Sequence, residues 1–394
     1  MVKNVKIVIG ANFGDEGKGL MTNYFSHQAA LRGESCLNVL HNGGAQRGHT
    51  VEYPDGRRHV FKHFGSGTFE GAHTYFSEDF ILNPIIFRQE WEELERMGVT
   101  PKVYVNPKCR VTTPYDMMIN QIVEESRGQC KHGSVGLGIM ETIVRHCGHF
   151  GSFGTRIDDI TSISNMIDRL NSIRKIYVRR KMLFERIKKI DEEWTSLIAD
   201  DRIRDHYLED LAFMMARIKN TNDNILLNYD TVVFEGGQGL MLDQNNEEYF
   251  PHLTPSNTGL QNPMKILRNA GIVGGCCSLN PITIEACYVT RTYLTRHGAG
   301  WLENECDKED ISPFIQDDQT NVSNPNQGSL RYAPLDVDDM LKRCIADQRK
   351  HEGYNHILST IAVTHMNENN IELVLKPTYE SHTPYSVIEN HRSE

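Results

Sequence analysis

Near the N-terminus a short β-branched run, Val5 to Gly10, passes straight into Gly10-Ala-Asn-Phe-Gly14-Asp15-Glu16-Gly17-Lys18-Gly19, and this junction constrains the fold most. A short apolar run stopped by glycine reads as a buried strand. Beyond the loop, a helical pattern extends from about Gly19 through the alanines near position 30. Cys36 to Leu40 then reads as a second strand, ending in the turn His41-Asn42-Gly43-Gly44. Strand, helix and strand in that order predict an α/β fold with a large, mostly parallel central sheet flanked by helices. Further strands are expected at Val103–Val105, Thr231–Phe234, Ile284–Val289 and Ile357–Val363.

The remaining segments differ in character. Residues from about 163 to 228 carry dense charge with apolar residues at helical spacing, and predict a helical insertion on the sheet. Within it, Arg179-Arg180-Lys181 reads as a solvated helix face. Residues 303–328 read as a long polar functional loop, and the polar tail after Lys376 as partly disordered. No internal repeat is visible, and the 394 residues are taken as a single domain, 1–394.

Composition excludes several classes. A net charge of −10 disfavours a general nucleic-acid binder, which needs a basic surface. No apolar run approaches a membrane span, and MVKNVKIVIG lacks the apolar core of a leader, so a cytoplasmic protein without a membrane partner is expected. The nine cysteines form no paired C-x-x-C framework. Cys276-Cys277, and Cys147 beside His146 and His149, are therefore read as small hydrophobes rather than metal ligands.

The glycine-rich loop has the chemistry of a phosphate cradle. Glycines let backbone N–H groups turn toward an anion, the adjoining helix N-terminus adds positive potential, and Lys18 supplies a fixed charge. The spacing is neither that of a Walker A loop, since Gly19 stands where Ser or Thr would bind magnesium, nor that of a dinucleotide fingerprint. Asp15 inside the loop is the unusual element, because an acid beside phosphates is repelled unless it binds a metal or moves a proton; the bland alternative is a helix N-cap. A second loop, Gly43-Gly44-Ala45-Gln46-Arg47-Gly48-His49-Thr50, places a histidine in a glycine-rich turn free of helix or strand geometry. Its near-neutral titration suits general acid work.

Together the two loops resemble the adenylosuccinate synthetases, whose hallmarks are W-G-D-E-G-K-G and, further along, N-A-G-H-T. Phe234-Glu235-Gly236-Gly237-Gln238-Gly239 is similar to that family's F-E-G-A-Q-G segment, and Leu242-Asp243, Tyr249, Pro251 and Thr254–Thr258 are similar to the family's next segment. The run from Thr290-Arg291 to Thr295-Arg296, Gly298 and Gly300 resembles its T-R-x-G-x-G turn. The resemblance implies a P-loop-NTPase-like fold, a homodimer, and one or two Mg²⁺ ions. It implies a two-step ligation in which the γ-phosphoryl group of GTP or ATP passes to O6 of a purine nucleoside monophosphate and the amine of L-aspartate displaces it. Asp15 would deprotonate purine N1 and touch the metal, His49 would assist the transferring phosphoryl group, Lys18 would neutralise charge, and the Gly48 backbone would help hold the metal. Gln238 would read the base. Nucleotide contacts would come from Gly14, Glu16, Gly17, Gly19, Thr50, Ser134, Val135, Thr254 and Asn367, with Arg145 reaching across the dimer.

Three departures bear on the substrate. The aspartate loop of the family, T-T-G-R-x-R-R, is here Asn326-Gln327-Gly328-Ser329-Leu330-Arg331-Tyr332, so Gln327, Gly328, Ser329 and Arg331 are the expected aspartate contacts. Arg331 keeps one bidentate carboxylate contact, while the loss of a ribose-facing arginine admits a deoxyribonucleotide. The guanine-reading T-K-L-D is here Thr364-His365-Met366-Asn367, and an amide both donates and accepts, which admits ATP beside GTP. Gly133-Ser134-Val135-Gly136-Leu-Gly138 replaces T-T-G-R-G-I-G. These departures resemble the viral branch that acts on dGMP, whereas retention of Asp15 favours a hypoxanthine base, IMP or dIMP. A catalytically silent nucleotide sensor is the reading from another class, and retention of Asp15, Lys18, His49 and Gln238 argues against it.

Overall fold

The computed structural model describes residues 2–274, 282–323, 328–351, 357–369 and 376–390. Ten strands form its central sheet: β1 (Asn4–Gly10), β2 (Cys36–Leu40), β3 (His73–Phe76), β4 (Val103–Val105), β5 (Ile218–Asn220), β6 (Thr231–Gly239), β7 (Ile284–Arg291), β8 (Ile357–Thr364), β9 (Tyr379–Thr383) and β10 (Ser386–Glu389). Their spatial order is β10-β9-β8-β7-β1-β6-β2-β3-β4-β5. Every neighbouring pair is parallel except β9 with β10. The central strands β2 and β7 are buried at every residue, as a parallel sheet covered on both faces requires.

Helix α1 (Lys18–Leu31) packs Met21, Phe25 and Ala29, spaced one turn apart, against Val8, Val233, Cys287 and Tyr379 on the sheet. Helices α2 (Pro84–Arg96) and α3 (Pro114–Ser126) both begin with Pro after a capping residue. Asn83 accepts from the N–H groups of Ile85 and Ile86, and Thr113 and Asp116 form a reciprocal capping box. The expected insertion is helical at Ile163–Phe184, Glu192–Ala199 and Asp201–Met215. It is not an appendage, since Met166, Leu170, Tyr177, Leu211 and Met214 share one core with Phe87, Trp91 and Ile119 of α2 and α3. Its end departs from expectation: Ile218–Asn220 forms β5 on the sheet edge. Lys181 departs too, being buried between Glu141 (3.1 Å) and Glu185 (2.5 Å) while Arg179 and Arg180 stay exposed.

The tail, expected to be partly disordered, forms β9 and β10; residues 391–394 lie outside the described residues. Tyr379 packs its ring on Phe25 at 5.4 Å and donates its hydroxyl to Glu285 (2.8 Å), which fixes β9 and its hairpin partner β10. Among the described residues no helix is long and apolar enough to cross a membrane. None of their His, Cys, Asp and Glu side chains form a metal-holding group of three or more. His146 is hydrogen-bonded to backbone at Thr142 and Thr155, whereas Cys147 is exposed rather than buried; Cys276-Cys277 lies outside the described residues.

His63 ties this framework together in its neutral form. It is fully buried, and its Nε2 accepts the N–H of Asn83 (2.9 Å), the residue that caps α2. Burial, with Arg47 and Lys62 nearby, pushes its pKa down to about 3. The unfolded chain takes up a proton at this residue as pH falls through about 6.5, and the folded chain does not, so its contribution to stability is present above that pH and lost below it. Urea denaturation at pH 7 and pH 5 should show wild type losing stability more steeply than His63→Gln, by on the order of 1 kcal/mol per pH unit. Parallel losses would show that His63 titrates normally.

Candidate active site

The C-terminal ends of β1, β6 and β8 open into a cleft of about 1120 Å³, the place where parallel α/β sheets bind ligands. The glycine-rich loop forms its floor. Gly14 and Gly17 have φ of 127° and 92°, and Asp15 itself sits at φ 57°, a conformation Asp tolerates better than most residues. A Cβ on Gly17 would lie 2.8 Å from Thr364 Cγ2, and one on Gly19 would lie 2.9 Å from the Thr50 carbonyl oxygen. The loop is thus pressed against two other segments of the cleft, which leaves no room for the Ser or Thr of a Walker A loop at position 19. The Asp15 carboxylate makes no hydrogen bond among the described residues, while its carbonyl accepts from Arg291 Nε (2.5 Å).

Lys18 starts α1 and is buried, its Nζ 3.9 Å from Glu16 Oε2. Glu16 turns beneath the loop, where Oε1 accepts the Asn12 N–H (2.6 Å) and Oε2 has no hydrogen-bond partner. Burial raises its pKa to about 7 against the pull of Lys18. This carboxyl therefore clasps the loop from below.

His49 does not lie in a free turn. It opens a two-stranded hairpin, His49–Glu52 with Arg58–Phe61, and pairs with Phe61. Its Nδ1 lies 2.5 Å from Glu235 Oε1, while its Nε2 is buried without a partner among the described residues; the residue lines the cleft. Glu235 also receives the N–H of Ser66 (3.0 Å) and the Ser66 hydroxyl, with Arg47 Nη1 at 3.7 Å. Burial alone would raise the Glu235 pKa; Arg47, His49 and Ser66 outweigh it and hold the carboxyl at about 2. Burial depresses His49, with Glu235 opposing. The resting pair is thus an ionised carboxylate accepting Nδ1–H from a neutral imidazole whose Nε2 is left unpartnered. In the sequence Glu235 stands out only as one letter of a motif. The signal that could have found it is an acid inside an otherwise apolar strand, which cannot stay buried without partners.

Other expected residues are distributed unevenly. Gln238, at the end of β6, accepts from the Thr254 hydroxyl (3.4 Å) and borders the cleft, as do Gly48, Thr50, Val135 and Asn367. Ser134 borders it too, but its hydroxyl donates to Asn120 (2.8 Å), and the N–H groups of His132 and Gly133 go to Glu124. Arg331 is not brought in. It forms a bidentate pair with Glu305 and donates to the carbonyls of Gly298 (3.0 Å) and Gly300 (2.8 Å). Together with Ser329 it borders an adjoining hollow of about 470 Å³ that shares Asp317, Asp318, Asn321 and Val322 with the cleft; Gly328 borders neither space, and Gln327 lies outside the described residues.

Arg145 departs most from expectation. It is wholly buried, paired with both carboxylate oxygens of Asp116 at 2.8 Å, and donates to Val111, Phe153 and Thr155. All its nitrogens are spent within the subunit, so this geometry does not fit an arm reaching across a dimer. The polar loop, by contrast, is anchored to the site over its described residues: half-buried Asp318 pairs with Arg291 Nη2 (2.7 Å) and accepts the N–H groups of Thr320 and Asn321.

A glycine-rich loop at the end of a central parallel strand and a carboxylate–imidazole pair lining the same cleft define an α/β protein with an anion-binding type of loop at the sheet's C-terminal edge. Residues 7–331 match the family described as adenylosuccinate synthetase, and the chain belongs to that family. The adenylosuccinate synthetase of Parabacteroides distasonis is 26% identical over 311 residues, covering 76% of this chain and 65% of the relative; that of Lactobacillus helveticus is 28% identical, with 64% of its length covered. The chain thus spans slightly less than two thirds of either relative. Two solved structures share the fold at a TM-score of 0.64. One is the fully ligated adenylosuccinate synthetase from Plasmodium falciparum, 19% identical over 92% of this chain and 77% of that one. The other is the cyanophage S-2L succinoaminodeoxyadenylate synthetase bound to dGMP and dATP as an energy donor, 16% identical over 99% and 96%.

Two outcomes check this geometry. Arg145→Ala strands the buried Asp116 carboxylate and should cost about 3–5 kcal/mol of unfolding free energy in denaturant melts. A full-stability variant with only weakened nucleotide affinity would contradict the structural role. Glu235→Gln removes the charge that orients His49, and should lower turnover by about two to three orders of magnitude while nucleotide binding, read by calorimetry, survives.

Proposed function

We propose that this chain is a nucleoside-triphosphate-dependent ligase that joins L-aspartate to C6 of a purine nucleoside monophosphate, IMP or dIMP, through a 6-phosphoryl intermediate. The observation that carries the proposal is the buried His49–Glu235 pair: His49, whose Nε2 is unpartnered, lines the same cleft as Asp15. A binding protein gains little from placing an ionisable imidazole and a non-hydrogen-bonded carboxylate together in one cleft.

In this reading Asp15 takes the N1 proton, and O6 attacks the γ-phosphorus as the bond to the departing diphosphate breaks. The incoming phosphates raise the proton affinity of His49, and the resulting imidazolium donates from Nε2 to a phosphoryl oxygen, with Glu235 stabilising its charge. Lys18 balances charge on the transferred group. The aspartate amine then attacks C6, phosphate leaves, and the amine gives up a proton. Gln238, held by Thr254, reads the base edge.

Magnesium fits the donor set. The Asp15 carboxylate and the Gly48 carbonyl are hard oxygen donors bordering the cleft, and a single carboxylate suits an ion that takes its other ligands from phosphates and water. Bound there, it would offset phosphate charge. The same reading assigns nucleotide contacts to the backbone of Gly14, Gly17 and Gly19 and to Ser134, Thr254 and Asn367, and takes the protein as a cytoplasmic homodimer.

One observation favours a second reading. The cyanophage structure is bound to dGMP and dATP, and Asn367 stands here where the family's guanine-reading acid is expected, so turnover of dGMP with ATP is the alternative. A phosphate-release assay with Mg²⁺ and L-aspartate, crossing ATP and GTP against IMP, dIMP and dGMP, separates the two. Release with IMP or dIMP supports the first; release with dGMP alone sinks it. Asp15→Asn should abolish nearly all release and leave nucleotide binding intact.

A further inference from the structure

We infer that the carboxylate of the amino-acid substrate is held by Arg58 with Thr320 and Thr50, on the hairpin that carries His49, and not by Arg331. The inference rests on the proposed ligase reaction and names the residues that accept its second substrate.

Arg331 is already committed: its Nε and both terminal nitrogens are engaged by Glu305 and the carbonyls of Gly298 and Gly300, outside the cleft. A carboxylate contact at Arg331 would require displacing a bidentate carboxylate already in place. The other cations around the cleft are mostly committed as well. Arg47 donates to the carbonyls of Lys62, His63 and Phe64, and Arg291 bridges Asp15 and Asp318. Arg127 pairs with Glu124, and Arg296 is stacked on Phe13 at 4.5 Å.

Arg58 differs. It borders the cleft, donates through Nε to Glu52 (2.8 Å) and through Nη2 to the Thr320 hydroxyl (2.5 Å), and its Nη1 has no partner among the described residues. Thr320 and Thr50 hydroxyls lie 2.6 Å apart. Thr320 Cγ2 would be 3.9 Å from a Cβ on Gly48, the residue before His49, so the cluster adjoins the phosphoryl-transfer centre. Its position is built in: Asp318 accepts the Thr320 N–H (2.9 Å) and pairs with Arg291, which holds the Asp15 carbonyl. A guanidinium edge flanked by two hydroxyls matches a planar carboxylate better than a spherical cation or a neutral group. The 303–328 loop, through Thr320, thereby keeps a role in amino-acid binding while a different arginine supplies the charge.

The test is steady-state kinetics of wild type, Arg58→Gln, Thr320→Val and Arg331→Gln with saturating nucleotides and varied L-aspartate. Arg58→Gln should raise the KM for aspartate on the order of ten- to a hundredfold and Thr320→Val several-fold. The KM values for both nucleotides should stay within about twofold of wild type. An unchanged aspartate KM in Arg58→Gln, or a rise confined to a nucleotide KM, overturns the assignment, as does an aspartate effect found only in Arg331→Gln. Failure of wild type itself to consume aspartate would instead remove the ligase reading on which the assignment rests.

Discussion

A single buried carboxylate organises the centre of this protein. Glu235 stands in β6, in register with Val8 of β1 on one side and Leu40 of β2 on the other, so it is fixed by the most constrained part of the sheet. A lone ionised carboxylate there would be prohibitively costly. Arg47, His49 and two donors from Ser66 offset that cost, and in doing so draw the second glycine-rich segment onto the end of the sheet. Arg47 in turn donates to three consecutive carbonyls, Lys62 to Phe64, which pins the far strand of the His49 hairpin. Fold stability and the aim of one imidazole nitrogen are therefore a single electrostatic problem, with the ladder of β6 as its rigid support.

Close backbone approach does for the phosphate loop what charge does for His49. Gly17 lies against Thr364 at the end of β8 and Gly19 against Thr50, so three chain segments distant in sequence meet with no side chain between them. Arg291, emerging from β7, adds a fourth segment by joining the Asp15 carbonyl to Asp318. A shift of any one of these segments moves Asp15 relative to His49. In the proposed ligase reaction that mutual restraint would supply preorganisation, since in-line phosphoryl transfer is accelerated mostly by positioning and electrostatics.

The legible part of the sequence was the part dictated by local chemistry. The runs of β1, β2, β4, β6, β7 and β8 are short and largely apolar, and several end in glycine, threonine or arginine at the cleft, so their existence was readable. The hidden strands β3, β5, β9 and β10 are short or polar, and take their geometry from a neighbouring strand; Tyr379 is ordered by Glu285 and Phe25, contacts that no local pattern reveals. The same division holds within the site. Asp15, Lys18 and His49 stand out in glycine-rich segments, and Gln238 through the family resemblance of its segment; all four line one cleft. Glu235 and Arg291 instead act through partners 186 and 276 residues away along the chain, and Asp318 acts through Arg291. Arg145 shows the converse error. An arginine in a promising stretch of sequence proved to be the counter-ion of the capping-box acid Asp116, and only tertiary structure distinguishes a functional cation from a buried one.

These differences separate two parts of the cleft by how firmly each is held. The phosphate loop, Glu235 and Gln238 follow or lie on central strands with neighbours on both sides, and His49 is tied to them through Glu235, so a substitution there disturbs packing and charge together. The segments that would meet the base, the ribose and the amino acid lie elsewhere: Ser134 in a loop after α3, Asn367 beyond the end of β8, and Thr320 in the long polar loop. Only a few side-chain contacts fix each of these, and such surface segments tolerate change at low thermodynamic cost. Substitutions in those segments thus cost the fold less than substitutions at the glycine-rich loop or the His49–Glu235 pair. In this chain Asp15, Lys18 and His49 all line that cleft, while Arg331 is paired with Glu305.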